Sequence, residues 1–592
     1  MKQKLFNHEK NGECCICKYS KEAPGENEVI CYYKGIMRPD GSCKKFRYDP
    51  LKRKPKIRTL QTFTAEDFVL NLPDEYDMTD KKEKNPSNKI ATIVNFVRSV
   101  EPRVEDDSFL LSTLEKELQL CDSFDMPSTV LFQYDALISS DYIELVSRHP
   151  LAETGLWLEI VKPLCEKVEI EWRGRYVWDW NVNCAYLIAY TPDERRKLID
   201  AAFAKYKETF GRYPECVGSW MLDAFSIAYM KEKYNIVAAC ICKEQYGTDG
   251  ITLNGGYYNG GYYPCKNNAL CPAGNKENQI DVPVFRMLGI DPLYQYDNGL
   301  GNPEIAQGVC TLEPACTKAG GNPEWVKWYL AENYNNKCLS AAFAQFGQEN
   351  SFGWDKIGPG LCSQLELLQN EAGSKNIDIL TLSKAGKSFK KQFEETPETA
   401  ICTDTDYKND GNKGVWYCSK NYRINLFSHK GCVKIRDLHI FDDKYPEQYL
   451  NTACKTNKAG QFNLPVMDGF RFSKGDVKAG IVPVGVSPSE LLSVAVNNEI
   501  IGTAGKLSFD MYPDKIVVKD IEDDWHLEFV TADVRYLPYE KVTPKELFME
   551  FMGFADSKYK YSLKLDKGNF VQENGKIKIK PEDGEIVFLM NS

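Results

Sequence analysis

STVLFQYDAL (128–137), ETGLWLEIV (153–161), TPDERRKLIDAAFAKYKETFG (191–211) and CVGSWMLD (216–223) decide the fold. The first, second and fourth are short apolar runs, each ending in polar residues. The third carries helix signals: Thr191 can cap the N-terminus, Pro192 takes the first helical position, and Gly211 stops the helix. Apolar strands that alternate with helices predict a parallel sheet buried on both faces. The pattern extends outward through ATIVNFVRSV (91–100), VAACIC (237–242), DVPVFRML (281–288), LSAAFAQFG (339–347) and IDILTL (377–382). Seven or eight such units predict a (β/α)7-8 barrel over 89–395.

Beyond that region the pattern changes. GVWYCSKNYRINLF (414–427), GIVPVGV (480–486), KIVVKDI (515–521), WHLEFVTADV (525–534) and GEIVFLM (584–590) are short strands with Gly, Asp and Pro between them. They predict a β-sandwich-like region over 396–592. At 592 residues, the whole is a multidomain α/β plus β chain.

The first 62 residues form a separate module. Cys14, Cys17, Cys31 and Cys43 can hold one tetrahedral zinc, which a head this poor in large aliphatics would need in order to fold. Free thiols in a small fold, or an iron–sulfur cluster on the same ligands, are the alternatives. The head's CKKFRYDPLKRKP (43–55) resembles short cysteine-containing proteins of anaerobic Firmicutes, a likeness that assigns no activity. Residues 63–88, ending in DEYDMTDKKEKNPSN, read as a linker.

The net charge of −10 is unevenly spread. Residues 1–58 hold 15 Lys or Arg against 7 Asp or Glu, so the head could meet a nucleic-acid or protein partner, or simply be a solvated surface. No run of about 18 apolar residues occurs, so no membrane span is expected. The opening MKQKLFNHEKNGECC has no apolar signal core, which predicts a cytoplasmic protein whose 21 cysteines are mostly free thiols.

Active sites of parallel barrels lie at the C-terminal ends of the strands. Those ends supply Arg98, Arg103, Gln133, Asp135, Trp157, Glu159, Trp220, Asp223, Glu244, Asp249, Arg286 and Glu349. Eight of the ten tryptophans fall between 157 and 354, and GGYYNGGYY (255–263) adds Tyr257 and Tyr258. Aromatic faces with carboxylates, amides and arginines suit a sugar. No histidine lies between 150 and 428, which removes a Ser-His-Asp system and a two-imidazole metal site from the barrel. No phosphate-binding loop occurs. DTDYKNDGN (404–412) looks like a calcium loop, but Lys408 spoils its ligand set. Carboxylate chemistry remains, with no cofactor in the barrel.

The order STVLFQYDAL, ETGLWLEI, the helix ending in FGRYP, then VGSWMLDA resembles the polysaccharide-deacetylase-like (β/α)7 barrel superfamily over roughly 90–390. Metal-dependent deacetylases need an Asp and two His; here Trp157 and Glu159 stand in that region, which disfavours them. Family 57 glycosidases of the same superfamily use a carboxylate pair. Their nucleophile segment is similar to GSWMLDA, implying Asp223 as nucleophile. Their acid segment is similar to FGQEN (346–350), implying Glu349 as acid/base, with Glu159 in reserve. The resemblance thus implies hydrolysis of a glycosidic bond in an oligosaccharide. The rival reading is a non-catalytic carbohydrate-binding or regulatory protein on a degenerate barrel.

Overall fold

In the computed structural model, residues 13–23, 28–49, 52, 87–295, 310–334, 340–486, 491–496, 499–504, 507–520, 524–532, 534–553 and 558–590 are described. The chain divides into two units, 1–82 and 83–592. The expected linker lies mostly outside the described residues.

Seven parallel strands build the barrel: β1 (Lys89–Val97), β2 (Ser128–Phe132), β3 (Ala152–Trp157), β4 (Cys216–Gly218), β5 (Ala238–Cys242), β6 (Val284–Met287) and β7 (Ala342–Phe346). They pair in the order β6-β5-β4-β3-β2-β1-β7, all parallel. No ladder joins β6 to β7 among the described residues. Phe285 of β6 and Phe343 of β7 meet across that gap, ring centroids 4.7 Å apart, so the barrel is nearly closed. An eighth, short parallel strand, Asp378–Leu380, pairs with β1 over Ile90–Thr92, so the sheet has the seven or eight units that the sequence implied. Strands β2, β5, β6 and β7 are buried along their whole length, which is why they read as continuous apolar runs.

Helices α1 (Phe109–Ser123), α2 (Pro192–Phe210), α3 (Ala224–Tyr234) and α4 (Pro323–Tyr334) lie among these strands in the chain, and α5 (Trp354–Lys375) and α6 (Leu382–Gln392) follow β7. Helix α2 starts as expected. The Glu194 amide donates to the Thr191 hydroxyl, and Glu194 accepts from the Thr191 amide at 2.7 Å, a reciprocal cap. Gly211 ends it at φ 72°, a backbone state that costs a side chain energy.

After the barrel, one sheet of nine strands begins at Thr399–Thr403 and a second of eight includes Glu585–Leu589. The barrel reaches into this region. Ile251–Asn254, in an excursion between β5 and β6, pairs in parallel with Ala459–Phe462. Residues 83–592 form one compact unit. Among the described residues, no helix is long and apolar enough to cross a membrane.

In the head, three short strands (Ser20–Glu22, Val29–Cys31, Gly35–Met37) form an antiparallel sheet. Its buried apolar residues are Cys14, Cys17, Val29 and Cys31, while Ile30, Tyr32, Tyr33, Ile36 and Tyr48 are exposed. That is the reverse of an ordinary hydrophobic core.

Candidate active site

The site starts from Arg98, one residue past β1 and 2% exposed. Its Nε and Nη2 donate to Glu159 Oε2 at 3.2 and 2.8 Å. Its Nη1 lies 2.6 Å from Glu349 Oε2. Strand ends β1, β3 and β7 are thus joined at the C-terminal mouth by one guanidinium. Burial works against the Arg98 charge, but Glu159 and Glu349 outweigh it and hold the proton. Beneath it lies the Trp178 ring, 4.1 Å from the guanidinium carbon.

Glu159 is fixed by more than arginine. Gln133 Nε2 and Trp157 Nε1 also donate to Oε2, at 3.0 and 2.8 Å. Four N–H groups therefore crowd one oxygen, while Oε1 accepts none among the described residues. Trp157 stacks on Phe96 at 4.1 Å, and Trp220 meets both rings edge-on. Aromatic packing sets the indole N–H, and the indole sets the carboxylate.

Glu349 differs in kind. Its Oε2 touches Arg98 but accepts no aligned hydrogen bond, because Arg98 Nη1 donates instead to Ser351 Oγ at 3.0 Å. Burial raises its pKa, Arg98 opposes this, and Glu159 adds to it. A carboxyl whose pKa is raised by burial is suited to give a proton.

A third carboxyl joins them. Glu313 accepts from Thr311 Oγ1 at 2.9 Å and from Gln348 Nε2 at 3.4 Å. Burial raises its pKa first, the two hydrogen bonds lower it, and Glu349 and Asp249 raise it again. Asp249 itself is exposed, in the turn joining Gln245–Thr248 to Ile251–Asn254. Arg103 is held by Glu101, Nε to Oε1 at 2.6 Å, and lies over Trp178 and Trp180. Asp135 is taken up by the segment just after β1: its Oδ2 accepts from the amides of Ser99 and Val100.

Asp223, expected as nucleophile, is a correction. It caps α3, accepting from the Ser226 amide at 2.9 Å and the Ser226 hydroxyl at 2.7 Å. Its Oδ1 pairs with Arg195 Nη1 at 3.0 Å, and both side chains are fully buried. Arg195 also donates to the carbonyls of Leu187, Tyr190, Tyr449 and Thr452. Glu447 lies on the far side, its pKa pushed up to about 8 by burial and then by Asp223. This is a structural knot with no opening to solvent.

Four expected binding residues also sit elsewhere. Glu244 pairs with Arg286 at 3.3 Å and Arg423 at 3.0 Å, and accepts from the amides of Gly255 and Gly256. Tyr258 stacks on Trp416 at 3.9 Å, and Tyr257 donates to the Pro397 carbonyl. All four lie in the dry seam between the barrel and the following sheet. There Gly255 and Gly256 are needed for clearance, since a Cβ on either would strike His439 or Arg286.

The same seam buries Lys243, with its amine 5.1 Å from the Tyr258 ring centroid. Burial, then Arg286, pushes its pKa down to about 7. The folded pKa lies below the unfolded one, so the cost of burying the charge is full below about pH 7 and fades as pH rises towards about 10.4. Lys243→Met is therefore expected to raise the melting temperature, more at acidic than at alkaline pH. Equal shifts at both ends would contradict the placement.

Glu313 and Ser351 were missed in the sequence. Glu313 comes from a long excursion with no strand periodicity; Ser351, two residues past Glu349, offered only its adjacency as a signal. Among the described residues, no three His, Cys, Asp or Glu side chains stand positioned for a metal ion.

Comparison with known proteins adds the following. A family profile described as "Domain of Unknown Function with solved-structure structure (DUF3863)" matches residues 176–358. No curated protein gives a significant match. Solved structures similar to this chain include one from Parabacteroides distasonis, provisionally described as a glycoside hydrolase/deacetylase. It is 12% identical at TM-score 0.48, covering 64% of this chain and 91% of that one. Another, provisionally described as a polysaccharide deacetylase, is from Mycobacterium smegmatis: 13% identity, TM-score 0.35, 53% and 94% coverage. The 4-alpha-glucanotransferase of Thermococcus litoralis is 10% identical at TM-score 0.28, covering 85% and 97%.

Proposed function

We propose that the barrel is a carbohydrate-active hydrolase that cleaves a glycosidic bond in an oligosaccharide. Glu349 supplies the proton to the leaving oxygen. Glu159, held through Oε2, presents Oε1 to the sugar or to the attacking water. The observation that carries this reading is the contrast between two carboxyls on one arginine, one accepting four N–H groups at a single oxygen and one with an oxygen that accepts no aligned hydrogen bond. Trp157, Trp220 and Trp178 provide the aromatic setting. The test is release of reducing sugar from a panel of oligosaccharides by the full-length chain, with and without chelator. Cleavage that survives chelation supports the carboxylate mechanism; cleavage lost with chelator and restored by zinc sinks it.

One observation favours the non-catalytic alternative: Arg98 neutralises both carboxylates. In that case a sugar raises the melting temperature, Trp220→Ala removes the effect, and no sugar in the panel is cleaved.

We also propose that the head holds one zinc through Cys14, Cys17, Cys31 and Cys43. The support is its interior, made of three thiols and one valine. The Cys17 amide donates to the Cys14 carbonyl at 3.2 Å, the turn that brings the first two thiols to one side. Burial raises the Cys14 pKa, and the nearby Cys31, Cys43 and Cys17 raise it further. Metal binding would deprotonate them and draw each to about 2.3 Å from the ion. Elemental analysis of the full-length protein should find about one zinc, kept by Cys15→Ser and lost by Cys31→Ser. Iron with sulfide in its place, or equal zinc in both variants, would rule the zinc site out.

A further inference from the structure

The first C-terminal sheet carries a cavity of about 760 Å³, the size of a pocket for a short oligosaccharide and remote in sequence from the mouth residues. Phe427, His429, Lys430, Lys434, Arg436 and Lys478 border it. Facing these cations is one carboxylate, Asp410, whose Oδ2 already accepts from the Tyr294 hydroxyl at 2.9 Å. Lys430 and Lys478 are exposed and make no hydrogen bond or ion pair among the described residues.

The floor is ordered where the rim is free. Phe427 is half-buried, and the Arg436 guanidinium carbon lies 4.3 Å from its ring centroid. Arg436 is locked by the Pro292 and Leu293 carbonyls and by Asn425 Oδ1. The His429 ring is fixed by Asn412 at 2.7 Å. Val433 and Val482 extend the apolar surface. An apolar floor with a rigid edge and the exposed Lys430 and Lys478 at the rim fits a ring that is apolar on one face and anionic at its periphery. A neutral sugar would leave Lys430 and Lys478 without partners. A nucleic acid would need a longer positive track than one pocket provides.

We infer that this groove binds an acidic oligosaccharide, a sugar face lying on Phe427 and its carboxylate or sulfate groups meeting Lys430 and Lys478. It is a second carbohydrate site, built by the β-region and independent of turnover at the barrel mouth.

Cys432 makes the test local, because it borders the groove and is the exposed cysteine among those described. Full-length protein would be treated with a maleimide while oligogalacturonate, a heparin-derived oligosaccharide or maltohexaose is titrated in, with labelling mapped by peptide mass. Protection of Cys432 by one or both acidic sugars at Kd below about 1 mM, but not by maltohexaose, is expected. The two acidic arms tell carboxylate from sulfate recognition. Lys430→Glu/Lys478→Glu should weaken protection about tenfold or more with the melting temperature unchanged. Glu349→Gln should leave it intact, which separates this site from the proposed chemistry. Undiminished protection in the double variant, protection by maltohexaose alone, or protection only by duplex DNA overturns the inference.

Discussion

Glu349→Gln is expected to lower turnover on a cleavable oligosaccharide by about 10²-fold or more, with the fold intact. Gln keeps the volume of the side chain and its contact with Arg98 but has no proton to give. The pH profile should change with it. Burial holds the Glu349 proton above the ordinary carboxylate range, so the wild-type rate falls on the alkaline side as that proton is lost. The variant should lose that limb and keep only a low, flatter rate. An activated glycoside whose leaving group needs no proton should recover much of the lost rate. A wild-type rate in Glu349→Gln on any cleaved substrate would remove the residue from the mechanism.

Arg195→Met should destabilise residues 83–592 by about 3–5 kcal/mol, enough to reduce soluble yield. The change strands the Asp223 carboxylate and several buried carbonyls at once. Asp223→Asn should act in the same direction with a smaller effect, because Asn still accepts from Ser226 while Arg195 loses its counter-charge. Urea unfolding of both variants is the measurement. The diagnostic result is the relation between stability and rate: Asp223→Asn should lose stability and retain kcat per folded molecule. A 10²-fold loss of kcat at unchanged stability would return Asp223 to the chemistry.

The barrel was legible because its strands are covered on both faces, so burial removes the polar alternation and leaves apolar runs such as VAACIC and STVLF. Helix α2 was legible to the residue because its caps are local chemistry. The strand ends singled out in the sequence bring Arg98, Glu159 and Glu349 into contact. Asp223 shows the limit. An Asp between a strand and a helix is as good a cap as a catalyst, and the Ser226 that completes the cap stands three residues on. Tyr257 and Tyr258 show another. Glycines beside tyrosines look like a pliable binding loop, whereas here their missing side chains admit His439 and Arg286. What places Glu313 at the mouth is a long-range return of the chain, which no local pattern encodes.

The parallel pairing of Ile251–Asn254 with Ala459–Phe462 bears on how the molecule comes apart. Barrel and β-region share that ladder as well as the Glu244–Arg423 ion pair, so neither can unfold without exposing polar groups of the other. Calorimetry should therefore show one cooperative transition for 83–592, and the head should melt on its own. A chain cut after residue 395 would keep every barrel strand yet leave the Ile251–Asn254 edge open and Glu244 without one of its two arginines. Such a fragment should aggregate rather than fold.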